Sequence, residues 1–351
     1  MNKLQAIYVL NHESHGMIYG PDEQRDIAEL VDVLGPPQPR NVVWENPRIL
    51  AQADVILSGW GGPLLDETLL DAAPKLQAVF YGAGSMSSLI TPAVWERRIV
   101  LSSALKANAV PVAEYALATI LFSLKHGWRL SRLTKANRFH PDRNAVPGCY
   151  GSTVGIISLG AIARKLLELL RPFDLNVMVY DPFLSEAEAQ VLGVEQVSLD
   201  DLFRRSDVVS LHAPSFPETQ GMITGEHIDS MKPGATFINT ARGELVRESE
   251  MIEVLSRRLD LQAVLDVTVQ EPTEADSPLY GLENVVLTPH MAGSVGTECR
   301  RMGRYMVEEL RRHLAGEPLK YALTQEAVMR TSHRPVAAAV RPPVRKTALV
   351  S

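Results

Sequence analysis

Val154-Gly155-Ile156-Ile157-Ser158-Leu159-Gly160-Ala161-Ile162-Ala163 is the stretch that decides the fold, an apolar strand running into a helix. In a G-x-G-x-x-G turn the first glycine makes the tight bend and the second admits a pyrophosphate. The third lets helix and strand pack closely. Here those positions hold Ser158, Gly160 and Ala163. The glycine that is kept is the one where a side chain would collide with the ligand, and Ser and Ala are small. The backbone N–H groups of Ala161 and Ile162 would then point at phosphate from the helix start. Taken alone, the stretch also reads as a buried strand and turn that bind nothing.

Asp181 follows the next strand, 21 residues after Gly160. An acid about 20 residues on is placed to accept hydrogen bonds from the adenosine ribose hydroxyls, and its charge disfavours a 2′-phosphate. That argues for NAD over NADP. An Asp before a proline, here Pro182, is also a common turn.

Working outward, strands are expected at 154–159, 177–180, 208–211, 236–239, 263–266 and 285–287, six with intervening helices. That is the strand count of a doubly wound dinucleotide fold. Upstream, 6–10, 41–44, 55–57 and 78–81 read as strands. The segment 21–34, with Pro21 at its start and Gly35 at its stop, reads as a helix, as does 64–73. Alternating strands and helices imply a second parallel sheet. A long helix is expected over 111–133 with Pro111 at its first position, then a Pro-, Gly- and Asn-containing loop at 137–151. A helix at 297–314 would return the chain to the first unit.

The 351 residues make two domains the expectation, with 46% apolar and 22% charged residues as in globular proteins. A net charge of −6 gives no footprint for nucleic acid or an anionic membrane. Two cysteines, Cys149 and Cys299, make neither a disulfide framework nor a zinc cluster, and no metal site is expected. The N-terminus is too short and mixed for a signal peptide, and no apolar run approaches the roughly 20 residues that span a bilayer. A cytoplasmic location is expected.

Three residues past the turn carry the chemistry. Arg242 lies in the segment Thr236-Phe237-Ile238-Asn239-Thr240-Ala241-Arg242-Gly243, Glu271 follows Asp266, and His290 follows Pro289. A 2-keto acid under reduction has a carboxylate to be clamped and a carbonyl oxygen that gains negative charge. Arg242 can grip the carboxylate with its planar fork. His290 can donate a proton near neutral pH. Glu271 can orient the imidazole and favour its protonated form. Each has a plain alternative as a surface ion pair, a structural histidine or a loop acid. All three fall after predicted parallel strands, where α/β sheets place their ligands.

From about residue 54 to 318 the sequence resembles the D-isomer-specific 2-hydroxyacid dehydrogenase family. The resemblance is carried by Ala107-Asn108-Ala109-Val110-Pro111-Val112-Ala113-Glu114, by Val209-Ser210-Leu211-His212-Ala213-Pro214, and by Ile238-Asn239-Thr240-Ala241-Arg242-Gly243. Leu265-Asp266-Val267 with Glu271-Pro272, and Thr288-Pro289-His290-Met291-Ala292-Gly293, complete it. It implies that Arg242 binds the substrate carboxylate, that Glu271 pairs with His290, and that Asp266 holds the nicotinamide carboxamide. It also implies cofactor contacts at Pro214, Thr240, Ala241, His290 and Gly293, substrate contacts from the backbone of Ala83 and Gly84, and a homodimer formed through the cofactor domain.

The fold class is therefore α/β in two domains, a Rossmann-type doubly wound parallel sheet for NAD plus a flavodoxin-like substrate domain. The expected boundaries are 1–106 for the substrate domain, completed by about 296–323, then 107–295 for the NAD domain and 324–351 for a C-terminal tail. The expected activity is NAD-dependent hydride transfer between nicotinamide C4 and C2 of a 2-keto or 2-hydroxy acid. The loop Leu57-Ser58-Gly59-Trp60-Gly61-Gly62 has no cation where phosphoglycerate dehydrogenases tend to carry arginine. A phosphate left unpaired in a cleft costs several kcal/mol, so 3-phosphoglycerate is expected to be a poor substrate. Trp60 and Met86 are read as an apolar wall for an uncharged side chain, with a core or interface aromatic as the other reading of Trp60. After Gly84 the chain runs Ser85-Met86-Ser87-Ser88-Leu89, without the acids usual in the family. The alternative function is an NAD(H)-sensing, dehydrogenase-like binding protein of corepressor type, to which the Pro- and Arg-containing tail from Arg330 would suit.

Overall fold

The computed structural model describes residues 3–332. Five strands come first, β1 (Gln5–Val9), β2 (Asp32–Val33), β3 (Val55–Ser58), β4 (Ala78–Tyr81) and β5 (Val100–Ser103). Seven follow: β6 (Thr153–Ile157), β7 (Asn176–Tyr180), β8 (Glu195–Gln196), β9 (Val208–Leu211), β10 (Thr236–Asn239), β11 (Gln262–Leu265) and β12 (Val285–Leu287). The last is β13 (Ala322–Leu323).

They form two sheets. In the first the order is β13-β5-β4-β3-β1-β2. Its five early strands are parallel in the flavodoxin-like order 2-1-3-4-5, and β13 adds to the edge antiparallel to β5. In the second the order is β12-β11-β10-β9-β6-β7-β8. Its first six strands in chain order have the doubly wound arrangement 3-2-1-4-5-6, with β12 as a seventh beyond β11. The six-strand expectation missed β8, whose two exposed residues carry no apolar signal. Both sheets are covered on both faces, which explains four hydrophobic layers and strands such as β3, β4, β9 and β10 that are buried along their whole length.

Several local expectations are corrected. Residues 41–44 form the cap and start of a short helix, Val42–Glu45, not a strand. Only Val42 of that segment is buried, and Asn41 donates to the Glu45 carboxylate one turn on. The helix expected over 21–34 is Pro21–Leu30, because the amides of Asp32 and Leu34 instead join β1 through Leu4 O and Ala6 O. The helix expected over 64–73 is Glu67–Ala72, started by the Asp66 carboxylate on the Leu69 amide.

The long helix begins at Leu105, directly after β5, and places Pro111 in its interior. It ends at Ser123, and a second helix, Gly127–Asn137, starts after left-handed His126. By length and mean hydropathy of 1.2, Leu105–Ser123 is long and apolar enough to cross a membrane, contrary to expectation. Here it packs along the helix Ala161–Leu170 and carries nine buried residues of the protein interior.

The helix Cys299–Leu314 crosses back and buries Met302, Met306, Val307 and Leu310 against the first sheet. It is pinned there by Arg304, which bonds both Glu23 and Asp26. Of the expected tail, 325–332 form a helix, and the rest of it, from residue 333, lies outside the described residues.

Candidate active site

Parallel pairing puts the carboxyl ends of β6, β7 and β9–β12 on one edge, and register makes them a row. Ile157 pairs with Tyr180 and Leu211, Leu211 with Asn239, Asn239 with Leu265, and Leu265 with Leu287. The residues that follow, Asp181, Ser158, His212, Thr240, Asp266 and Thr288, therefore stand side by side at about 4.8 Å per strand. Every member is polar.

The turn at Ser158–Gly160 has the shape of a phosphate cradle. Ser158 adopts a left-handed φ of 71°, which is why glycine suits that position. The bend is held by the Asp181 carboxylate, whose Oδ2 accepts from Leu159 N at 2.7 Å while Oδ1 accepts from Phe183 N at 2.8 Å. Asp181 is only 5% exposed. Both of its oxygens thus accept from backbone amides. At Gly160 a Cβ would meet nothing within 4 Å, so the space over the helix start is open. Ala161 and Ile162 supply the first amides of the helix Ala161–Leu170, which has no side-chain cap.

Further along the row, Asn239 shapes the arginine turn. Its Oδ1 accepts from Ala241 N at 3.0 Å and its Nδ2 donates to Arg242 O at 2.9 Å. Arg242 itself is exposed, donates to Ala241 O, and has no ion-pair partner among the described residues. Gly243 comes next because a Cβ there would lie 2.0 Å from the Thr268 carbonyl carbon. That contact sets the arginine turn directly against the backbone leading to Glu271.

Asp266 is the hub. It is 2% exposed, and its carboxylate accepts from Thr288 Oγ1 at 2.6 Å, Met291 N at 2.9 Å and Ala292 N at 2.9 Å. The Thr288 hydroxyl also meets Tyr115 OH at 3.0 Å, from the helix Leu105–Ser123. His290 sits inside this loop with a left-handed φ of 51°, its N–H bonded to Asp266 O and Thr288 O. Its ring Nδ1 lies 2.6 Å from Glu271 Oε2, with both side chains partly exposed. A backbone held in a sparsely populated region by this many bonds aims the imidazole outward. Nε2 has no hydrogen-bond partner among the described residues.

Across from this edge, Ala83 and Gly84 follow β4. Ala83 is fully buried, and Gly84 lies against Asn108, whose Nδ2 would be 3.2 Å from a Cβ there. Asn108 Oδ1 in turn accepts from Ser294 N at 3.0 Å and lines the Gly293 backbone. Asn108 thus joins the Ala83–Gly84 segment to the histidine loop. Trp60 is partly buried between the two layers that cover the first sheet, and its carbonyl accepts from Asn11 N at 3.0 Å. Met86 is 2% exposed and belongs to the core, so it forms no wall toward solvent. Pro214 lies partly exposed in the loop after β9, its carbonyl accepting from Thr219 Oγ1.

Five participants were given no role of their own in the sequence reading, although all but Tyr115 lie in stretches that carry the family resemblance: Asn108, Tyr115, His212, Asn239 and Thr288. Asn239 had a local signal, since an asparagine ending a strand readily closes an Asx turn. For Asn108, Tyr115 and Thr288 the partner is remote in sequence, as with Tyr115 and Thr288, 173 residues apart, whereas His212 meets Ser210 two residues back on its own strand.

A dinucleotide fits this edge. The space over Gly160 accepts a phosphate, and two buried polar atoms in the row, His212 Nδ1 and Thr240 Oγ1, lack a partner among the described residues. Among those residues no cluster could hold a metal ion.

Residues 117–292 match the family described as D-isomer specific 2-hydroxyacid dehydrogenase, NAD binding domain. A D-3-phosphoglycerate dehydrogenase of Mycobacterium tuberculosis is 36% identical over 256 residues, 72% of this chain and 48% of that protein. The chain thus spans about half the length of the phosphoglycerate dehydrogenases it matches. An (S)-sulfolactate dehydrogenase of Chromohalobacter salexigens is 36% identical over 253 residues, 71% of this chain and 81% of that protein. Among solved structures, a phosphoglycerate oxidoreductase from Rhizobium etli shares the fold with a TM-score of 0.77 at 23% identity, covering 93% of this chain and 100% of that one. By the domain match and the sulfolactate relative together, the chain belongs to the D-isomer specific 2-hydroxyacid dehydrogenase family.

Proposed function

We propose that the protein is an NAD-dependent dehydrogenase of 2-hydroxy acids that interconverts a 2-keto acid and its 2-hydroxy acid. The observation that carries this is the 2.6 Å pair of His290 Nδ1 and Glu271, on a loop tied down by Asp266. When bound, the reduced nicotinamide supplies the hydride that reaches C2. Glu271 accepts the Nδ1–H and fixes the ring, so the transferable proton sits on Nε2. As C2 is reduced, Nε2 gives that proton to the carbonyl oxygen, and in the reverse direction takes it back. Arg242 holds the substrate carboxylate through its fork. Asp266 keeps His290 aimed, with one lone-pair site left for an amide donor.

Asp181 disfavours a 2′-phosphate, so NAD is proposed over NADP. The named substrates of the two relatives carry a phosphate or a sulfonate as a second anion. The Gly59–Gly62 loop here offers no cation to meet one. We therefore assign an uncharged side chain to the substrate, with Trp60 beside it, and rank 3-phosphoglycerate low. The helix Gly127–Asn137 buries none of its side chains and lies near exposed Phe122 and Phe139, a surface that suits a homodimer.

The test is NADH oxidation across a panel of 2-keto acids with neutral, acidic and phosphorylated side chains. Turnover of neutral acids is expected. Tight NADH binding with no turnover of any member would replace the enzyme with a sensor of NAD(H), and phosphorylated acids turned over best would overturn the substrate assignment.

A further inference from the structure

The chain that follows the returning helix Cys299–Leu314 is fixed more firmly than a terminal segment needs. Glu309 is fully buried on that helix, and its carboxylate accepts from Lys320 N at 2.9 Å, Tyr321 N at 3.0 Å and the Ser102 hydroxyl at 2.8 Å. A buried carboxylate is tolerated only when donors meet its oxygens. Here the donors come from β5 and from the two residues that lead into β13. Tyr321 also stacks on Tyr305, with ring centroids 4.5 Å apart and planes inclined by 10°. β13 then pairs Ala322 with Ser102 and Leu323 with Leu101, which covers the outer edge of β5.

This course ends on the segment after Gly84. Leu323 packs onto the apolar cluster that contains Ala83 and Met86. Thr324 caps the next helix, its hydroxyl accepting from Ala327 N at 3.1 Å. That helix, Gln325–Ser332, lies against the turn Ser87–Leu89. The turn has little of its own to hold it. It buries none of its three residues, and Ser85 and Ser87 bond each other at 3.1 Å. Segments with few buried contacts open at low cost. One tie comes from Leu65, whose amide donates to Leu89 O at 2.8 Å. A second comes from the C-terminal segment.

We propose that residues 320–332 are a positioning element for the substrate: they hold the segment 85–89, and with it the Ala83–Gly84 backbone, in the place from which that backbone meets the substrate carboxylate. This rests on the reading of Ala83 and Gly84 as substrate contacts. Glu309 is the clip that fixes where the element starts. Leu323 is the side chain that passes the hold to the cluster containing Ala83. Both act through the loop and neither touches the substrate. Loosening the loop weakens ground-state and transition-state binding alike, which raises KM and leaves kcat.

The experiment compares the full chain with L323A, L323M and E309Q by keto-acid kinetics, NADH titration, melting curves and amide hydrogen exchange. L323A should raise KM for the keto acid about tenfold, within the cost of misplacing a binding group by about an ångström, with kcat and NADH affinity held. Exchange should quicken over 85–89 and stay unchanged in the second sheet. L323M, of similar volume, should restore both readings. E309Q, which gives up one acceptor oxygen, should move KM and exchange in the same direction as L323A. A merely structural role would lower the melting point and leave KM and the exchange of 85–89 unchanged, which overturns the proposal. If L323A does not fold, E309Q decides by the same two readings. Wild type that turns over no keto acid would instead overturn the dehydrogenase reading, and the positioning role with it.

Discussion

The two sheets end in rows of opposite character. At the carboxyl edge of the second stand Asp181, Ser158, His212, Thr240, Asp266 and Thr288. On the first, Val9, Ser58, Tyr81 and Ser103 are in register, so the matching row is Leu10, Gly59, Gly82 and Ala104. One edge presents hydroxyls, carboxylates and an imidazole. The other has no polar side chain of its own: Gly59 and Gly82 lie against Ile18 and Tyr19, and Leu10 and Ala104 are buried. On the proposed function, chemistry common to many substrates calls for fixed polar groups, and the choice of substrate is assigned to what lies above the other edge: Trp60, the segment after Gly84, and Asn108.

If the polar row runs the reaction, damage there should dominate. His290→Ala should lower kcat by about a thousandfold, within the range of general acid catalysis, while NADH affinity holds. Stopped-flow hydride transfer would check it, and near-full turnover would break the comparison outright. The next effect concerns stability. In the fold the His212 imidazole is held by burial at about 4 against 6.5 when exposed. Between those values the unfolded chain takes up a proton that the folded chain does not. Its stabilising share is thus complete above about pH 6.5 and is lost as pH falls toward 4, about 3 kcal/mol in all. Urea unfolding at pH 7.5 and 5.0 should show a steeper loss in wild type than in H212N. The bare row has no titratable member to produce such a slope.

Arg242→Gln should raise KM for the keto acid by about 10–100-fold, the loss of a charge-assisted bidentate contact, measured under saturating NADH. On the other edge the effects should be smaller and selective. Trp60→Ala should change the ratio of kcat/KM between a bulky and a small neutral keto acid by about tenfold, as expected for lost apolar contact. An equal drop for both would make Trp60 a core residue. Least of all, Ser158→Gly should relieve the left-handed backbone and stabilise the protein by about 0.5–1 kcal/mol, read from chemical unfolding.

The contrast also sorts what could be read from sequence. The doubly wound fold was legible because strand, turn and helix occupy one run from Val154 to Ala163, and the runs that follow are apolar and evenly spaced. Arg242, Glu271 and His290 could be proposed because the chemistry calls for those residue types after strands. The supporting bonds were not legible. Tyr115 reaches Thr288, and Asn108 reaches Ser294, 186 residues away, and neither pairing leaves a periodic trace. Pro111 misled because a proline often opens a helix, while here the preceding turns, with buried Ala107 and Ala109, pull the start back to Leu105. Residues 41–44 misled because Val42, Val43 and Trp44 favour strands, yet no neighbouring edge takes up their backbone.

Asn108 has a mechanical consequence as well. Among the described residues the chain passes between the sheets twice, once after β5 into the helix Leu105–Ser123 and once from the His290 loop into the helix Cys299–Leu314. The Asn108 carboxamide ties the first passage to the second at Ser294. Two crossings bolted together at one point act as an axle. Rotation of the sheets about the line they define is expected to be easier than separation across it. Any turning of one sheet against the other is then expected to run through these two passages, with the Asn108 side chain holding them together.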